Sequence, residues 1–203
     1  MPYTDFTLDS LLTKFDIVTE IAVLFPDLAP VTPPADLEVT LANSMDLALL
    51  SEKARSEYIV APLLMAVRLM LDKRIAIYSG QRLDVDAAAG LCGECDFLLT
   101  MTKPLPFIKA PIVSIIEAKK NDIDLGLGQC AAQMLGSLRF NQRTSPEFDT
   151  AYGCVTTGET WQFLRLQKET LSLDQNRYYL KNELGLILAA FLTALSPYLP
   201  ESS

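Results

Sequence analysis

The sequence predicts an α/β fold, a mixed sheet carrying helices on its faces, and three observations lead there. Residues 111–120 run Pro-Ile-Val-Ser-Ile-Ile-Glu-Ala-Lys-Lys, a β-branched apolar run that reads as a buried strand. Residues 152–157 and 160–166 flank Gly158-Glu159, as the two arms of a hairpin do. Helical apolar spacing fills residues 51–72, 125–140 and 182–195 around them, so helices and strands alternate.

Taken in order, Thr7 is placed to cap a short first helix with Leu8, Leu11, Leu12 and Phe15 on its apolar face. A second helical stretch is expected through Ile17, Ile21 and Leu24, ending at Phe25-Pro26-Asp27. Four prolines between positions 26 and 34 then read as a stiff linker. Residues 1–50 are thus expected to form a helical extension, packed on or swapped between larger bodies, and residues 51–203 the main domain.

Ser51 is the expected N-cap of a helix reaching about residue 72, with Ile59, Leu63, Leu64, Val67 and Leu71 on one face. Pro62 should kink it or shift its hydrogen bonding locally. Strands are expected over residues 75–79, 82–86 and 94–101, ahead of the strand at 112–119. Asp122 and Asp124 precede the next helix, where negative charge suits the N-terminal dipole. After the hairpin come a strand near 170–173 and the closing helix.

Composition narrows the chemistry. Half the residues are hydrophobic and 21% are charged, as in an ordinary globular domain. No apolar run is long enough to span a bilayer, and the first residues lack the basic start and apolar core of a signal peptide. A soluble, cytoplasmic protein without membrane contact is the expectation. Four cysteines fit a reducing compartment, and Cys92-Gly-Glu-Cys95 has the spacing of only half a zinc knuckle. There is no histidine, which removes Ser-His-Asp and Cys-His catalysis and imidazole-bound metals. The net charge is −8, but residues 1–60 hold 10 acids and 3 bases whereas residues 61–203 hold 15 and 14. The larger part of the chain is therefore nearly neutral, which softens the objection to a polyanionic partner.

Glu117 and Lys119 alternate onto one face at the end of the buried strand. Charged groups there are costly unless paired or holding a metal. If the neighbouring strand pairs alongside, Asp96 points into the same notch. Two carboxylates with open positions suit Mg2+ or Mn2+. A lysine beside them can orient or deprotonate an attacking water or stabilise charge on a phosphate. Glu94 shares a strand face with Asp96 as an alternative or extra ligand, and Asp84 and Asp86 are the next candidates.

An aspartate followed about twenty residues later by Glu-x-Lys at the end of a hydrophobic strand resembles the PD-(D/E)XK, restriction endonuclease-like superfamily. The wider phrasing, Ser51-Glu52-Lys53-Ala54-Arg55-Ser56-Glu57 and Gly126-Leu127-Gly128-Gln129-Cys130, looks like an uncharacterised branch of it common in cyanobacteria. The resemblance implies a restriction endonuclease-like core with Asp96, Glu117 and Lys119 as catalytic residues. It implies a metal ligand from the first core helix, where Glu57 is placed to match and Glu52 competes. It also implies a helix glutamine at the site, where Gln129 and Gln133 stand four apart on one face. Cys95 stands where the signature has proline. The expected function is Mg2+- (or Mn2+-) dependent hydrolysis of nucleic acid, DNA first. The alternative is a catalytically silent nuclease fold serving as an assembly or regulatory module. Lys103, Lys109, Lys119, Lys120, Arg139 and Arg143 could line one side of a nucleic-acid cleft, and apolar helices at both ends would allow a homodimer. Against these readings stand a structural ion-pair network for the charged trio, core packing for Cys130, Cys154 and Trp161, and a small zinc or redox protein built on Cys92 and Cys95.

Overall fold

The computed structural model describes residues 2–119, 122–144 and 146–199. Seven strands form one mixed sheet in the order β1-β7-β6-β5-β4-β3-β2. They are β1 (Val18–Ala22), β2 (Ala76–Arg82), β3 (Glu94–Thr100), β4 (Ile112–Ala118), β5 (Thr150–Thr156), β6 (Thr160–Gln167) and β7 (Thr170–Tyr179). The parallel pairs are β4–β5 and β1–β7, and the other neighbours run antiparallel. Helices cover both faces. On one lie α1 (Leu8–Phe15) and α5 (Asp124–Gln142), and on the other α2 (Ala35–Met45), α4 (Ala61–Met70) and α6 (Leu180–Leu195). The α/β expectation therefore holds. Among the described residues, no helix is long and apolar enough to cross a membrane.

Thr7 caps α1 as its sequence suggests, in a capping box with Ser10. The expected second helix is instead β1, parallel to β7 with Val18 opposite Thr170. The β-branched residues of the Ile17-Val18-Thr19-Glu20-Ile21 run suit an edge strand, and a partner 150 residues away overrides the helical spacing. The extension is seated closely: at Gly128 of α5, any Cβ would collide with the backbone of Phe6, Thr7 and Leu8. The proline-rich segment also docks, Val31 N–H donating to Gly185 O at 3.2 Å.

Ser51 Oγ accepts Ala54 N–H and starts α3 (Glu52–Arg55). A π-turn, Ser56–Val60, joins α3 to α4, and Ala61 N–H reaches back five residues to Ser56 O. Pro62 cannot donate to Tyr58 O and its ring crowds that carbonyl. The wider turn is where the helix absorbs this, so the local shift expected at Pro62 is present. The expected strands 75–79 and 82–86 are not separate: β2 continues through Gly80 (φ +61) to Arg82. Residues 83–91 retain a single isolated bridge, Asp86 with Leu91.

The α5 helix is buried on both sides and determines the site. Gln129, Gln133, Ser137 and Asn141 recur every four residues and are all buried, forming one polar stripe beside β4. At its far end Asn141 clamps Ile112, accepting its N–H at 2.8 Å and donating to its carbonyl at 2.7 Å. At its near end the stripe meets the charged terminus of β4.

Candidate active site

The site lies where β3 and β4 part. Their ladder ends at Phe97 opposite Ile116. Just beyond, the Asp96 side chain substitutes for a backbone partner, Oδ2 accepting Ala118 N–H at 2.7 Å. On its other side β4 stays paired with β5 through Ala118 and Thr156, and Lys119 N–H donates to Thr156 O at 2.7 Å. One flank of β4 is therefore sewn to the sheet while the other opens a notch holding a carboxylate.

Within this notch Lys119 Nζ donates to Glu117 Oε1 at 2.9 Å and to Gln129 Oε1 at 3.0 Å. Glu117 Oε2 accepts from Gln133 Nε2 at 3.0 Å, and the same amide donates to Glu94 O at 3.3 Å. Gln133 Oε1 is buried without a hydrogen-bond partner among the described residues. The structure thus brings Asp96, Glu117, Lys119 and Gln129 together. Gln133 joins them as the residue that fixes the second oxygen of Glu117. The resemblance offered Gln129 and Gln133 alike as the helix glutamine of the site; the four-residue polar stripe through a helix of small apolar residues is the signal that both face the same way.

Packing makes room for this geometry. A Cβ on Gly126 would fall 2.6 Å from Val155 Cγ1 and 3.0 Å from Lys119 Cγ. The lysine stem therefore crosses α5 where there is no side chain.

The electrostatics are strained. Glu117 is 2% exposed. Burial first, and the Asp96 charge second, raise its carboxyl to about 7, against the opposing pull of Lys119 and Gln133. Asp96 is likewise raised by burial, partly offset by the Ala118 N–H and Lys119, with Glu52 and Glu94 adding to the rise. Burial works against the Lys119 ammonium, but Glu117, Glu52 and Asp96 together outweigh it and its pKa ends above the ordinary value. Lys119 is therefore a held ammonium, suited to stabilising anionic charge rather than to taking a proton at neutral pH.

The other candidates sit elsewhere. Glu57, on the π-turn, has a half-exposed side chain 3.8 Å from Lys53 in an i,i+4 pair. Glu52, one turn earlier, is the acid of this helix whose charge reaches Asp96 and Lys119. Asp84 takes Arg82 and Gly93 N–H, and Asp86 takes Ala89 N–H and Arg139; both organise the loop before β3. Arg139 and Arg143 lie near the far end of α5, where Arg143 donates to Val85 O. At 1.5 Å per residue they stand roughly 15–20 Å along the helix from Gln129. They and Lys119 do not share one wall of a cleft, and Lys120 lies outside the described residues. All four cysteines are free thiols, Cys95, Cys130 and Cys154 being buried. Trp161 packs edge-on against Phe191 in the core.

Among the described residues no group of three or more acids or cysteines converges as a ready cation cage. The donor set is two carboxylates, Asp96 and Glu117. Mg2+ commonly takes one or two carboxylates and completes its shell with waters and substrate phosphate oxygens. Asp96 and Glu117 are oxygen donors of the type such an ion takes, and burial together with the Asp96 charge raises the Glu117 carboxyl. No family model matches the chain, and no curated protein matches it.

Proposed function

We propose that the protein is a divalent-metal-dependent phosphodiester hydrolase acting on nucleic acid, with DNA the first substrate to test, and that its fold is restriction endonuclease-like. The observation carrying this reading is the convergence of Asp96, Glu117 and Lys119 in the notch between β3 and β4. It joins the likeness of these residues to the PD-(D/E)XK pattern. Asp96 and Glu117 would hold Mg2+ or Mn2+, which polarises a phosphoryl oxygen and acidifies a bound water. Lys119, kept protonated by its neighbours and aimed by Gln129, stabilises charge developing on the phosphate. Gln133 holds Glu117 by one oxygen, so the other faces the notch and Lys119. Glu52, in preference to Glu57, is the acid of the first core helix that adds negative field at this point.

The test is cleavage of plasmid and single-stranded DNA with Mn2+. Lys119→Ala should abolish cleavage while its thermal unfolding remains cooperative, and undiminished cleavage by that variant would remove the mechanism. The largely buried Glu117–Lys119 ion pair at 2.9 Å suits, as second reading, a nuclease-like fold without catalysis. That reading predicts no cleavage by the wild-type chain with either metal.

A further inference from the structure

A polar cavity of about 280 Å3 opens at the carboxyl ends of β4 and β5, lined by Arg55, Asp122, Thr157, Glu159, Thr160 and Arg177 among others. It adjoins the notch: Thr157 follows the residue that accepts Lys119 N–H, and Asp122 lies three positions beyond Lys119. Helix α3 links the two places. The charge of Glu52 is felt at Asp96 and at Lys119, and Arg55, one turn on, lines the cavity.

Arg55 is unusually confined for an arginine, its side chain 16% exposed. One terminal nitrogen, Nη1, serves both Thr157 O at 2.7 Å and Glu159 Oε1 at 3.2 Å. Its Nε is buried with no hydrogen-bond partner among the described residues. A tether needs only the first of these contacts. A guanidinium offers five N–H donors in a planar fork that matches an oxyanion, and a buried orphan donor is destabilising until something accepts from it.

The second guanidinium, Arg177, is aimed by Gln162 Oε1 at 2.9 Å and pairs with Asp124. It also walls the two neighbouring clefts. Thr157 Oγ1 accepts Thr160 N–H at 3.2 Å, leaving its own proton to donate. The acids of these two pairs, Glu159 and Asp124, are 61% and 62% exposed, so each can turn into water when another anion takes its place.

We infer that this cavity binds a phosphate group of the nucleic-acid strand, gripped by Arg55 and Arg177, and so sets the strand's path away from the notch. The inference rests on the nucleic-acid reading above and supplies the cationic contacts that Arg139 and Arg143 are too distant to make. It is tested by binding alone, in chelator, so that no chemistry intervenes. The probe is a fluorescent single-stranded oligonucleotide without terminal phosphates, with inorganic phosphate as a separate titrant followed on the arginine Nε–H resonances. Arg177→Gln should weaken strand binding about tenfold and lower the slope of log K against log salt by about one. Arg177→Lys should recover the slope but not the full affinity, because the fork is lost. Arg55→Gln should act likewise, with its melting curve checked because Arg55 also tethers the β5–β6 turn. Shifts at Arg55 and Arg177 with the strand assign the site to an internal phosphodiester. Shifts with inorganic phosphate only assign it to a free or terminal phosphate. Wild-type strand affinity and salt slope in Arg177→Gln, with no arginine shift from either probe, would overturn the inference. Arginine-dependent binding in a chain that cleaves nothing leaves the cavity standing and removes the hydrolase; cleavage with arginine-independent binding does the reverse.

Discussion

Glu117 offers a test in which the sign of the result separates a functional site from a structural ion pair. Its carboxyl stands at about 7 in the folded chain against an ordinary 4.5. Between those pH values the folded protein retains a proton that the unfolded chain has released, so stability falls as pH rises across the window. The loss is absent below about pH 4.5 and complete above about 7. The gap corresponds to about 3 kcal/mol. Glu117→Gln mimics the protonated acid without its charge. It should therefore stabilise the metal-free protein at pH 8 by about 2–3 kcal/mol, or roughly 5–10 °C in Tm for a chain of this size, and change little at pH 4. Thermal melts of both proteins from pH 4 to 8.5 in chelator measure it. Mg2+ should then raise the wild-type Tm at pH 8 far more than that of the variant. Had Glu117 and Lys119 been assembled for stability, removing one charge would destabilise by about 3–5 kcal/mol. A Glu117→Gln protein less stable than wild type at pH 8 would mark Glu117 and Lys119 as a structural ion pair.

Other consequences follow from the same geometry. Gly126→Ala gains about 1 kcal/mol of helix propensity but forces a Cβ against Val155 and Lys119, at about 1–3 kcal/mol. The net should be a lower Tm together with lower kcat, the latter read at a temperature where the variant is fully folded. Gln133→Ala removes the N–H that holds the Glu117 carboxyl down, so the acid limb of the pH–rate profile should move to higher pH; an unmoved limb denies Gln133 that role. Glu52→Gln should alter the metal dependence of cleavage, whereas Glu57→Gln should leave it as in wild type, and equal effects would contradict the assignment. Asn141→Ala strands both backbone groups of Ile112 in the core and should lower stability by about 2–4 kcal/mol in chemical unfolding.

Much of the site was legible because a strand has a fixed two-residue period. Glu117 and Lys119 had to share a face, and an acid and a base ending an apolar run had to meet a partner. What was not legible depended on long-range or local irregularity. Residues 17–24 carry apolar spacing compatible with a helix, and only their pairing with β7, far along the chain, makes them a strand. Along the first core helix the π-turn at Ser56–Val60 adds a residue to the cycle, so a count by regular turns did not single out Glu52 over Glu57. Gln133 was ambiguous because a helix glutamine usually meets water. Only the packing of α5 between the sheet and the N-terminal segment buries that face, and the glycines that permit it, Gly126 and Gly128, point to opposite sides. The arginines that line the neighbouring cavity, Arg55 and Arg177, come from a helix and a strand more than a hundred residues apart, so no local basic stripe announces them.

Calorimetric titration of Mn2+ into the folded chain at pH 8, wild type beside Asp96→Ala, decides whether the two carboxylates form a metal centre. Saturable binding to the wild type should be lost in the variant, whose unfolding in chelator should stay cooperative at a lower Tm because the Ala118 N–H loses its acceptor. A wild-type chain that takes up no Mn2+ at millimolar concentration, or a variant that binds it equally well, would contradict the claim that Asp96 and Glu117 form a metal centre.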